Sequence, residues 1–135
     1  MTRPVDINEA LAGRPKLKGR TRYTSSEESA AAFARLAPFR DGAVFAGSFS
    51  GESPWERHLH GDELVHVLDG ATSLSIIIDD ETQTFEMHAG MLVIVPQGCW
   101  HRFNSPKGVT VLTMTPQPTD YATDEDPRER SGEQG

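Results

Sequence analysis

The stretch Trp55-Glu-Arg-His-Leu-His-Gly-Asp-Glu63 brings two histidines and three carboxylates together in a few residues. Neutral imidazole nitrogen and carboxylate oxygen are the ligands that suit Zn, Ni, Fe and Mn. Glu56, His58 and His60 alternate, so an extended backbone turns all three to one side. Gly61-Asp62 then permits a tight turn. Glu63 opens a run whose Val65 and Val67 share its face. A carboxylate at the head of an apolar face is costly unless it is paired or ligated. His101 lies far along the chain, behind a Pro96-Gln-Gly98 turn that lets a remote strand fold back to the same place. One divalent ion held among these residues would offset the cost of burying Glu63.

The remaining reactive side chains read differently. His66 alternates with Val65 and Val67, which puts it on the face opposite Glu63, in a structural role or at a subunit contact. His88 sits in the Met87–Gly90 turn and is expected in solvent. Only a low-pKa thiolate reacts readily, and Cys99 is the single cysteine, so it reads as a small buried hydrophobe. Trp55 and Trp100 flank the two ligand-bearing segments and either line a pocket or seal one end of the fold.

These residues need strands to position them. Ala43–Ser50, Glu63–Leu68, Thr72–Ile78, Thr82–Met87, Met91–Val95 and Val109–Thr115 are predicted strands. Turn signals separate them, including Asp69-Gly70, where a hairpin is expected, and Ser105-Pro-Lys-Gly108. Many short strands at regular spacing predict an all-β sandwich or barrel. Before them, Ser25–Ala37 reads as one short helix, with a capping box from Ser25 and Glu28 and a stop at Pro38. Three units result: a basic arm over residues 1–22, a β domain over 23–116, and an acidic, mostly disordered tail over 117–135.

Composition narrows the partners. The chain has 135 residues, 13 basic and 20 acidic, for a net charge of −7. An acidic excess argues against nucleic acid, whose phosphates call for Lys and Arg. The longest apolar runs, such as Met91–Val95, fall far short of a membrane span. One cysteine allows no internal disulfide, and the N-terminus offers no apolar stretch for a signal peptide, so the cytoplasm is the expected compartment.

Two segments carry a family resemblance. In the second, Gly90, Pro96, Gly98 and His101 have the spacing of the second conserved motif of the cupin superfamily of small β-barrels. In the first, Glu63 and Gly70 match the latter half of its first motif, but only Gly61 and Asp62 separate His60 from Glu63. The motif therefore aligns in two ways. Placing His58 as the family's second histidine implies a site of Glu56, His58, Glu63 and His101; a shortened loop makes His60 the alternative to Glu56. His58, Glu63 and His101 belong to both alignments.

The resemblance spans about residues 44–115 and implies a single cupin-type barrel, a jelly roll with one short N-terminal helix. It implies one divalent metal (Zn, Ni, Fe or Mn) inside the barrel, a small organic molecule as ligand or substrate, and a homodimer. In such dimers an N-terminal strand often joins the partner's sheet, a role open to the arm. The barrel specifies no reaction. An oxygenase or isomerase type of enzyme and a non-catalytic sensor or storage protein are both compatible with it.

Overall fold

Period-two alternation dominates from Phe33 onward, and most of that stretch is strand in the computed structural model, which describes residues 2–129. The elements are α1 (Ile7–Ala12), β1 (Leu17–Arg20), α2 (Ser26–Ala32), β2 (Phe33–Phe39), β3 (Gly42–Glu52), β4 (Trp55–Arg57), β5 (Glu63–Ile78), β6 (Glu81–His88), β7 (Leu92–Val95), β8 (His101–Pro116) and β9 (Asp120–Ala122). A single 3-10 turn covers Pro127–Glu129.

The long strand β8 organises the barrel. It pairs antiparallel with β3 from Gly42↔Pro116 to Glu52↔Asn104, and with β5 from Leu64↔Met114 to Ile76↔His101. It also meets β4 at Glu56↔His101. β5 carries β6 and β7 in turn, so the sheet curls around one core and forms the expected all-β barrel. The core is Phe49, Val65, Val67, Leu74, Ile76, Met87, Val95, Phe103, Val109 and Val111. Phe49 and Phe103 meet edge to face at 5.5 Å.

Two expected turns are bulges. Asp69-Gly70 makes no hairpin, and Ser105–Gly108 does not end a strand; β5 and β8 run through both, with register shifts at Val67/Asp69 and Gly70/Ser73. The reason is a close approach of backbones. Gly70 has φ +77° and Gly108 φ +99°, and a Cβ on Gly70 would lie 2.4 Å from the Gly108 carbonyl oxygen. The two glycines absorb the bend that lets long strands wrap a small barrel.

The helix expected over residues 25–37 ends at Ala32. Its capping box is present, with Glu28 N–H donating to Ser25 Oγ at 3.1 Å. From Phe33 the chain pairs antiparallel with β3, Phe33↔Gly47 through Phe39↔Gly42. The Phe33 ring occupies the space above Gly47 where a Cβ would lie 2.5 Å from it. That packing and the ladder outweigh the helix preference of an alanine-rich run.

Both flanks contribute strands. β1 of the basic arm pairs in parallel with β3 of its own chain, at Leu17↔Phe49 and Arg20↔Gly51. β9 pairs antiparallel with β4 through Trp55↔Ala122, and Pro127 is buried. Residues 117–129 thus carry more structure than their composition suggests, while the rest of the expected disordered tail lies outside the described residues. No helix among the described residues is long and apolar enough to cross a membrane.

Candidate metal centre

Three of the predicted ligands converge. β4 ends at Arg57 and leaves His58 just beyond it; Glu63 is the first residue of β5, and His101 the first of β8. The pairing of His101 with Glu56 and Ile76 sets its strand between β4 and β5. All three side chains are buried, and one ligand atom from each lies within 4.8 Å of the others. Glu63 Oε1 is 3.0 Å from His101 Nε2 and 3.4 Å from His58 Nε2. Ligands sharing one ion at ~2.1 Å stand about 3.0–3.4 Å apart at tetrahedral or octahedral edges. His58 Nε2 and Glu63 Oε1 have no hydrogen-bond partner among the described residues. Buried atoms of this kind are costly unless something satisfies them, so the donor set fits a divalent ion.

The outer atoms are held in place. His101 Nδ1 donates to the Cys99 carbonyl at 3.2 Å, which directs the Nε2 lone pair inward. His58 Nδ1 lies 3.2 Å from Thr119 Oγ1. Thr115 Oγ1 donates to Glu63 Oε2 at 2.6 Å, and Thr113 Oγ1 lies 2.7 Å behind it. Burial pushes the Glu63 carboxyl up, but the His101 and His58 imidazoles that face it outweigh this and hold the group well below the usual carboxylate range. Burial likewise lowers His101, and Glu63 overcomes it to raise the imidazole.

The two competing positions separate cleanly. Glu56 lines the same cavity, but its carboxylate stands outside the three-residue cluster, with Oε1 3.7 Å from Arg20 Nη2. His60 is exposed and borders a different cavity, near Phe39, Leu64 and Met114. Because β4 stops at Arg57, the alternation expected to align Glu56, His58 and His60 does not extend to His60.

The other residues fall as follows. His66 lies outward between Leu92 and Leu112, and His88 is exposed. Burial, with the carboxylates of Asp79 and Asp62, pushes the Cys99 thiol up, away from a reactive thiolate. Trp55 and Trp100 pack with Ile77 and Ala122 in a separate cluster and do not line the cavity, which settles them as a seal. Arg102 stacks over Trp55 and Arg57 over Trp100, at 4.6 and 4.4 Å.

Sequence reasoning missed Arg20, Thr113, Thr115 and Thr119. The threonines of β8 had a usable signal: they continue the inward alternation of Val109 and Val111. Arg20 had none, being one cation among several in the arm. It is 4 % exposed, with Nη2 donating to Ser29 Oγ at 3.3 Å.

Barrel and centre together define a class. Residues 49–115 match the cupin domain, and the chain belongs to the cupin superfamily. It is 39 % identical over 49 residues to an acireductone dioxygenase of Rhodopseudomonas palustris (strain TIE-1), an alignment covering 36 % of this chain and 29 % of that protein. The chain thus spans less than a third of the length of the curated relatives it matches. A cupin-2 domain protein from Shewanella frigidimarina superposes with TM-score 0.51 at 20 % identity, over 71 % of this chain and 96 % of that one. A hydroquinone 1,2-dioxygenase solved with Cd2+ and 4-hydroxybenzonitrile gives TM-score 0.54 at 16 % identity, over 84 % of this chain and 72 % of that one. At these identities the structural matches establish the fold.

Proposed function

We propose that this cupin holds one divalent ion on His58, Glu63 and His101 and acts on a small organic molecule bound beside it. The observation that carries the reading is the convergence of two inward Nε2 atoms on a buried Glu63 Oε1 that has no hydrogen-bond partner among the described residues. Two imidazoles and a carboxylate suit Mn, Fe, Ni or Zn. The chemistry such an ion supplies is Lewis-acid polarisation of a bound oxygen. Glu56, facing the same cavity from β4, serves as the proton acceptor for that molecule. The acireductone dioxygenase with which 49 residues align supports a reaction of an oxygenase type.

The active form is a homodimer in the cytoplasm. Support for a second copy is an outward apolar row: Leu64 pairs with Met114 and Ile94, and His66 with Leu112 and Leu92. Leu92 and Ile94 are 58 % and 48 % exposed.

Metal analysis of protein purified without added chelator tests the central reading. One equivalent of a divalent transition metal is expected in the parent and a large loss in Glu63→Gln. A parent that takes up no Mn(II), Fe(II), Ni(II) or Zn(II) would sink it. Incubation with small carbonyl and enol compounds then separates enzyme from sensor: a molecule that stabilises the protein and is recovered unchanged marks a binder.

A further inference from the structure

Arg20 enters the cavity from the N-terminal arm, outside the residues that match the cupin domain. Its backbone is pinned there, since a Cβ at Gly51 would lie 2.2 Å from the Arg20 carbonyl oxygen. The guanidinium stacks over Phe49 at 4.8 Å. One nitrogen, Nη2, serves both neighbours: it donates to Ser29 and stands 3.7 Å from Glu56, too far for a hydrogen bond. Arg20 Nε is buried and has no hydrogen-bond partner among the described residues.

A buried cation left this way bears a desolvation cost that a second anion would offset. Nε and one Nη of arginine form the planar fork that matches two carboxylate oxygens. The cavity that Arg20 lines also contains Glu63 and His101, with Phe45, Phe103 and Val111 as apolar wall. Its volume is about 180 Å³, room for about six waters at ~30 Å³ each. A ligand of a few heavy atoms therefore spans it.

We propose that Arg20 anchors the carboxylate of a small organic acid whose other end lies at His58, Glu63 and His101. The inference rests on the metal-centre reading for that second end alone. The apolar wall takes the carbon between the two polar ends.

The probes are glycolate, malonate and succinate, with malonamide as the neutral counterpart, titrated calorimetrically into Mn(II)-loaded full-length protein. At least one acid is expected to bind the parent better than malonamide does. Arg20→Gln should weaken that acid by about tenfold or more, because a buried charged hydrogen bond is lost. Its Mn(II) affinity should not fall, since a nearby positive charge has been removed. Arg20→Lys keeps the charge but not the fork, and should fall between the two; it also serves as the readable variant if Arg20→Gln fails to fold. Equal binding of the acid by the parent and the folded variant, or no acid bound by the parent, overturns the proposal. Mn(II) uptake is measured first and separately. A parent without uptake counts against the metal centre, and the same titration into metal-free protein then decides Arg20, with the same expected loss.

Discussion

Thr115 donates its hydroxyl hydrogen to Glu63 Oε2 at 2.6 Å, and so leaves Oε1 as the carboxylate oxygen turned toward His58 and His101. The Thr113 hydroxyl, 2.7 Å behind, extends the chain of hydrogen bonds along one inward face of β8. A side chain outside the His58, Glu63 and His101 cluster thus orients the carboxylate that would serve as a ligand.

Thr115→Val should therefore weaken metal binding while the barrel persists. The expected loss is about tenfold, at the low end for partners that orient a metal ligand. Thr115→Ser, which keeps the hydroxyl, should bind as the parent does. Competition against a chromophoric chelator reads both, and a parent-like affinity in Thr115→Val would show that Glu63 is oriented by other contacts.

The same pair of partners predicts how the metal-free protein responds to pH. Glu63 is held below its ordinary carboxyl value of 4.5, so its contribution to stability is complete above that pH and is lost as pH falls. His101 is raised above the ordinary 6.5, so its contribution is complete below that pH and is lost as pH rises through the folded value. The melting temperature of metal-free protein should be highest between these two values and fall on both sides. His101→Gln should remove the alkaline decline. Metal binding requires deprotonated imidazoles, so affinity should rise across the range where the metal-free protein weakens. Calorimetric melts and metal titrations at graded pH measure both limbs.

Much of the barrel and three residues of the candidate site were legible because their signals are local. Gly90, Pro96, Gly98 and His101 lie within one motif, and Val65, Val67 and Glu63 share a face by simple alternation. What was illegible depends on partners remote in the chain. Phe33–Ala37 has a helix-like composition, and it is a strand through its ladder with β3 and the room Gly47 leaves for the Phe33 ring. Asp69-Gly70 reads as a turn, yet the facing Gly108 turns it into a bulge inside a continuous strand. Glu56 and His60 were equivalent by period, and the end of β4 at Arg57 sends them to different cavities. Arg20 is buried by Phe49, Ser29 and Gly51, none of which its own segment announces.

The outward face of β5, β7 and β8 predicts the oligomeric state. Leu64, Leu92, Ile94 and Met114 form adjacent pairs around His66. Exposed apolar rows of this size mark interaction surfaces. The parent should sediment as two chains, and the double variant Leu92→Glu/Ile94→Lys as one, with the far-ultraviolet spectrum unchanged. A parent that sediments as a single chain at micromolar concentration would remove the dimer from the functional reading.

Residues 117–129 close the barrel end that carries the candidate metal centre, and removing them should be felt in two places at once. β9 covers β4, Trp55 Nε1 donates to the Glu125 carbonyl at 2.9 Å, and Arg57 pairs with Asp120 at 2.8 Å. A chain ending at Pro116 loses all three, so Trp55 and Trp100 should become wet and their emission shift to the red. Loss of that packing should lower the melting temperature by about 5 °C or more for a domain of this size. The same chain loses Thr119 from His58 Nδ1, and metal affinity should fall with it. Thr119→Val separates the two effects: it should weaken the metal and leave the tryptophan emission of the parent. If the shortened chain keeps both its emission and its metal, the contacts of β9 contribute little to either.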